Sequence, residues 1–161
     1  DLHLIPGTSR QLHVAFEEKR LDAVLIVQPP FDLPKTMQFT PLADQRVCLM
    51  SPVGRHQDAT LPFLVYSREA WGAAASWTAL TELDPQPRIL AEMDAVETIV
   101  QMVQDGVGRA VLPDWLGRAE RFPRIEAIEL EAPRRSIGLL SWAGDRDRPV
   151  LDLVRQHLTR C

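Results

Sequence analysis

Gly106-Val107-Gly108 is a stretch of the 161-residue sequence whose spacing could do chemistry, because backbone N–H groups on such a turn can cradle a phosphate. That use needs a strand before the glycines and a helix after them, so that the helix dipole faces the anion. The order here is reversed. The amphipathic segment "DAVETIVQMVQDG" (94–106) comes first and the apolar run "RAVLP" follows. The third glycine of the dinucleotide fingerprint is also absent, since Val111 stands in its place. The pair therefore reads as a helix stop and a sharp turn into a strand, with Gly106 at the left-handed position after the helix.

The other groups suited to ligand contact sit at predicted helix starts. Ligands of open α/β sheets lie off the carboxyl ends of the strands, against helix N-termini. Three stretches put polar residues there: Thr8-Ser9, Tyr66-Ser67-Arg68 and Glu92-Met93-Asp94. Thr8 or Ser9 could offer a hydroxyl and free helix N–H donors to a carboxylate or similar anion, or could simply cap the helix. Arg68 could clamp an anion through its planar fork, or stand as a solvated surface arginine. Asp94 suits a helix cap better than a ligand contact.

Nothing pairs a nucleophile with a base. There is no Gly-x-Ser-x-Gly and no HExxH, and the adjacent carboxylates Glu17 and Glu18 point to different sides of a helix. Cys48 and Cys161 belong to no CxxC or Cys/His cluster, and His3, His13, His56 and His157 are scattered. The expectation is no enzyme, no cofactor and no metal, with Cys48 a buried small hydrophobe.

These groups must be held by a succession of short elements. "LHLI" (2–5) reads as a strand. Thr8-x-x-Gln11 has capping-box form ahead of a helix whose stripe is Leu12, Ala15, Phe16 and Lys19. "LDAVLIV" (21–27) is a continuous apolar run, the pattern of a parallel strand covered on both faces. Residues 37–56 read as two short strands about a turn, and "LPFLVY" (61–66) as another. "SREAWGAAASWTALTEL" (67–83) looks helical, with Ala70, Ala73, Ala74, Trp77 and Leu80 on one side. A strand near 88–91 and a helix over 94–106 follow, the latter with a second capping box, Asp94-x-x-Glu97. "RAVLP" is a strand, and "PDWLGRAE" (113–120) one or two helical turns with proline at the first position. "IEAIEL" and "RSIGLLSW" are strands, and "RPVLDLVRQHLTR" (148–160) closes the chain as a helix. Strand followed by helix predicts an α/β fold with parallel sheets.

Composition limits the partners. Hydrophobic residues are 45% and charged residues 25%, as in a water-soluble globular chain. No apolar stretch approaches the ~20 residues that span a bilayer. Net charge is −4 with both signs interleaved, and "APRRS" (132–136) is the densest basic run. That is too short to neutralise a phosphate backbone, so nucleic acid is not expected to bind this chain directly. Asp1 and the abrupt start suggest a fragment. The cysteine usage fits a reducing cytoplasm.

With "PGTSRQL", "RLDAVLI", "TPLADQRVCLMSP", "MVQDGVGRAVLPDWL" and "RRSIGLLSW" in this order, the sequence resembles the effector-binding domain of LysR-type transcriptional regulators from near residue 1 to about residue 158. The resemblance implies a two-lobed α/β fold like that of type 2 periplasmic binding proteins, the lobes joined by two crossover strands around an effector cleft. Lobe I would hold about 1–49 and 134–161, and lobe II about 50–133. The crossings would fall in "RVCLMSP" and "ELEAPRRSI". The first strand–helix unit usual in lobe I would be missing. By resemblance, Thr8 and Ser9, and Tyr66, Ser67 and Arg68, inherit effector contact. The strand end that often carries a polar cleft residue reads Val27-Gln28, which makes Gln28 the candidate there and leaves the effector's charge open.

The leading function is therefore small-molecule effector sensing, an organic anion being one option. The effector would modulate DNA binding by a separate winged helix-turn-helix, in a cytoplasmic homodimer or tetramer with no membrane contact. The alternative is a stand-alone type 2 solute-binding protein, which shares the fold and would need an export signal.

Overall fold

The computed structural model describes residues 2–145; the segment 148–160 read as a closing helix lies outside them. The chain forms two compact units. One holds the residues up to Asp44 and the chain from Ser136, and the other runs over Gln45–Arg135.

In the first unit, helix α1 (Ser9–Glu17) begins with the reciprocal cap foreseen for Thr8 and Gln11. The Gln11 N–H donates to Thr8 Oγ1 at 3.3 Å, and the Thr8 N–H donates to Gln11 Oε1 at 3.1 Å. Ala15 and Phe16 are buried, and Phe16 stacks on Trp142 with ring centroids 4.6 Å apart. Lys19, expected on the same stripe, is exposed instead. Its φ of 58° lies in the left-handed region, past the end of the helix. His13 takes an inward place that the stripe did not assign to it.

Strands β1 (Ala23–Val27), β2 (Met37–Gln45) and β8 (Arg135–Trp142) form a sheet in the order β1-β8-β2. β1 pairs with β8 antiparallel, Val24 opposite Leu140. Its apolar run thus misreported both pairing and cover: among the described residues α1 is the helix packed on β1, and Leu25 is exposed. Residues 2–5 form no strand. Leu2, Leu4 and Ile5 are exposed, and among the described residues no neighbour supplies the ladder a strand requires.

The second unit is built on β3 (Val47–Pro52), β4 (Phe63–Tyr66), β5 (Ile89–Met93), β6 (Ala110–Pro113) and β7 (Ile125–Glu129). β3 lies between β6 and β7 and pairs with each antiparallel, while β4 and β5 pair parallel. A parallel bridge from Phe63 to Arg109 joins the two sets. The parallel sheet expected from element order therefore exists in part, with antiparallel pairs outnumbering it. β2 and β3 are separated by one residue and form no hairpin, because they enter different sheets.

Helices α2 (Ala73–Leu83) and α3 (Val96–Gln104) pack on this sheet through Trp77 and Leu80, and through Ile99, Val100 and Val103. Full burial of aliphatic side chains of this kind stabilises by about 1.5–3 kcal/mol each. α2 starts later than expected because Gly72, at φ 76°, breaks the preceding turn; Ala70 lies outside it and Ala74 is exposed. The short α4 (Arg118–Arg121) begins after Gly117, so Pro113 ends β6 rather than opening a helix.

The opening glycine pair behaves as read. Gly106, at φ 79°, closes α3, with its N–H on the Val103 carbonyl and that of Val107 on Met102. Gly108 permits close packing: a Cβ there would meet the Pro62 carbonyl oxygen at 2.6 Å.

Candidate functional site

The carboxyl ends of β4 and β5 lie side by side, Tyr66 opposite Met93. Beyond them the Ser67 N–H donates to the Met93 carbonyl at 2.7 Å, and the Arg68 N–H donates to Glu92 Oε1 at 3.0 Å. The indole Nε1–H of Trp77 donates to the Tyr66 carbonyl at 2.8 Å, fixing α2 against the end of β4. Arg68 lies over Trp77, its guanidinium carbon 3.4 Å from the ring centroid. Tyr66, Ser67 and Arg68 are thus held together by three bonds and one stacking contact.

Both helices that start here do so without a side-chain cap. Gly72 precedes α2 and Ala95 precedes α3, and neither supplies a hydroxyl or carboxylate to the first-turn N–H groups. Two helix starts that no side chain caps, beside the carboxyl ends of parallel strands, suit a polar or anionic ligand group. Asp94 does not form the expected capping box; it is exposed, one residue ahead of the Ala95 cap position. Its backbone turns into α3 one residue later than the Asp94-x-x-Glu97 spacing requires.

Gln45 and Arg135 complete this side and were not singled out from sequence. Nε and Nη2 of Arg135 donate to Gln45 Oε1 at 2.8 and 2.5 Å, and the guanidinium carbon lies 5.9 Å from the Tyr66 ring centroid. Burial lowers the Arg135 pKa from its ordinary value, while the neighbouring Tyr66 side chain acts in the opposite sense. Arg135 belongs to the densest basic run, "APRRS", which sequence reasoning weighed only as a nucleic-acid patch. An arginine opening an otherwise apolar strand was the available signal.

In the first unit, Thr8 is occupied by its capping box. Ser9 Oγ accepts the Val27 N–H at 3.1 Å, which ties the start of α1 to the end of β1. Gln28 is exposed, and its N–H donates to the Ser136 carbonyl at 2.9 Å. Ser9 and Gln28 therefore share the carboxyl end of β1. A groove of about 530 Å³ beside α1 is lined by Ile5, Pro6, Leu12 and Val14 among others, and by none of these three candidates.

Among the described residues no group of three or more His, Cys, Asp or Glu could hold a metal ion. Cys48 is buried, and desolvation, reinforced by Asp114, pushes its thiol up to about 11. No described helix is long and apolar enough to cross a membrane.

A family model described as the LysR substrate binding domain matches residues 1–160. The chain belongs to that family. The fold of this LysR substrate-binding domain is accordingly the α/β, type 2 periplasmic-binding-protein-like one, and solved structures agree. The effector-binding domain of QuiR in complex with shikimate superposes with a TM-score of 0.71 at 14% identity, covering 96% of this chain and 78% of that one. The OxyR2 regulatory domain (C206S mutant) from Vibrio vulnificus gives 0.71 at 18% identity, with the same coverage. The reduced OxyR regulatory domain from Pseudomonas aeruginosa gives 0.68 at 19%, covering 96% and 80%. No curated protein sequence matches the chain.

Proposed function

We propose that this LysR substrate-binding domain senses a small-molecule effector and so alters DNA binding by a winged helix-turn-helix elsewhere in a bacterial regulator. In the second unit Tyr66, Ser67 and Arg68 form the principal contact set, with Asp94 as a further contact; Thr8, Ser9 and Gln28 are the contact candidates of the first unit. The observation that carries the reading is the paired carboxyl ends of β4 and β5, with two helix starts beside them that no side chain caps. An effector changes the activity of such a domain only by binding one arrangement of it better than another. The regulator is expected to work in the cytoplasm as a homodimer or tetramer and to turn over no substrate.

The full-length protein tests this. A metabolite panel that includes shikimate, the ligand of QuiR, is screened by thermal shift and tryptophan fluorescence, and hits are carried to DNA-binding titrations. A compound that shifts melting and changes DNA affinity is the expected result. A panel that binds without any change in DNA affinity would point to a solute-binding role instead.

A further inference from the structure

Arg135 is a half-buried cation, and the described protein supplies no carboxylate to pair with it. The residue before it, Arg134, pairs with Glu129 at 3.5 Å, and Arg46 pairs with Asp114 and Glu129 at 3.3 Å each. No ion pair with a described residue involves Arg135; its guanidinium donates to the amide oxygen of Gln45, and the Tyr66 side chain lies beside it and favours its charged form. A cation withdrawn from water without a counter-ion is unfavourable, and such groups concentrate at sites that take a charged ligand. Gln45 receives two donors from the fork and so fixes the plane of the guanidinium, which lowers the entropy lost when a planar anion docks on it. Arg68 is differently placed. It is exposed and already stacked on Trp77, so solvent screens its charge.

We propose that Arg135, oriented by Gln45 beside Tyr66, is the anion-recognition residue of the effector site, and that the effector is a small organic carboxylate. This rests on the effector-sensing reading above. One fixed guanidinium beside one phenol matches a singly charged, two-oxygen group. A phosphate monoester would call for a second committed cation.

The experiment uses the full-length protein with benzoate and shikimate as probes, each set against its neutral primary amide, read by thermal shift and tryptophan fluorescence. The carboxylates are expected to raise the melting temperature of the wild type and the amides to leave it unchanged. Arg135→Gln is expected to weaken carboxylate binding at least tenfold, and Arg134→Gln to leave it intact. Arg135→Lys keeps the charge but loses the fork, and should fall between the two. Without ligand, Arg135→Gln should melt at or above the wild-type temperature, because an unpaired cation has been removed. A purely structural arginine would instead lower that temperature and leave affinity unchanged, which overturns the proposal. Amides or other neutral compounds binding as tightly as the carboxylates, or unchanged binding by Arg135→Gln, also overturn it while leaving the effector site standing. If no compound of any class shifts the wild type, the effector reading fails and the proposal goes with it.

Discussion

The guanidinium carbon of Arg68 lies over the indole of Trp77, 3.4 Å from the ring centroid, while the same indole donates its N–H to the Tyr66 carbonyl. One buried aromatic thus holds both the backbone and the charge of the β4 carboxyl end. Trp77→Phe keeps most of the apolar volume but strands that carbonyl, so it should destabilise by about 1–3 kcal/mol. Arg68→Ala should cost only about 0.5–1 kcal/mol, as for an exposed cation–π contact. Urea unfolding of the two variants checks the order; equal losses would remove the anchoring role of Trp77.

A second prediction concerns Asp114, whose carboxylate meets the buried Arg118 at 2.6 Å and the more exposed Arg46 at 3.3 Å. Asp114→Ala leaves Arg118 buried and unpaired, a loss of about 3–5 kcal/mol. Arg46→Ala removes an exposed, solvent-screened partner and should cost far less. The comparison of chemical denaturation midpoints decides it.

Cys48 should resist modification. A thiol pushed up to about 11 and buried in β3 holds almost no thiolate at neutral pH. Alkylation at pH 7.5, located by peptide mass spectrometry, should label Cys48 only after denaturant is added. Labelling of the native protein at that site would contradict the burial.

The glycines after α3 make distinct predictions. Gly106→Ala forces a Cβ into φ 79° and should destabilise by about 1 kcal/mol. Gly108→Ala drives its Cβ to 2.6 Å from the Pro62 carbonyl oxygen, which is backbone and cannot swing aside. The second loss should exceed the first in thermal melts.

Asp58 offers a pH readout. Hydrogen bonds from Thr60 and Arg55 hold its carboxyl down at about 2, below its ordinary value of 3.8. A depressed carboxyl contributes stability at pH above the unfolded value and loses it as pH falls through the folded one. The Arg55–Thr60 turn should therefore persist to pH 4 and loosen toward pH 2. An NMR titration of the Asp58 carboxyl with a midpoint near 4 would contradict this.

The residues of the candidate site were unequally legible. Tyr66, Ser67 and Arg68 could be found because a strand end followed by a helix start is a local pattern. Gln45 and Arg135 could not, since positions 90 apart in sequence give no sign of their hydrogen bonds. Asp94 misled because a capping spacing says where a cap would fit, and the chain entered α3 one residue later.

The sequence by itself determined what depends on near neighbours. The Thr8–Gln11 cap, the α3 stripe and its glycine stop follow from spacings of three and four residues, and the order of motifs was enough to suggest the family. Tertiary structure decided strand direction and exposure. "LDAVLIV" has the composition of a doubly covered parallel strand, yet β1 pairs antiparallel with β8 and leaves Leu25 exposed. Apolar content states what a strand tolerates on its two faces; only the long-range partners determine which faces are covered and which polar groups, such as Arg135, are withdrawn from water without a counter-charge among the described residues.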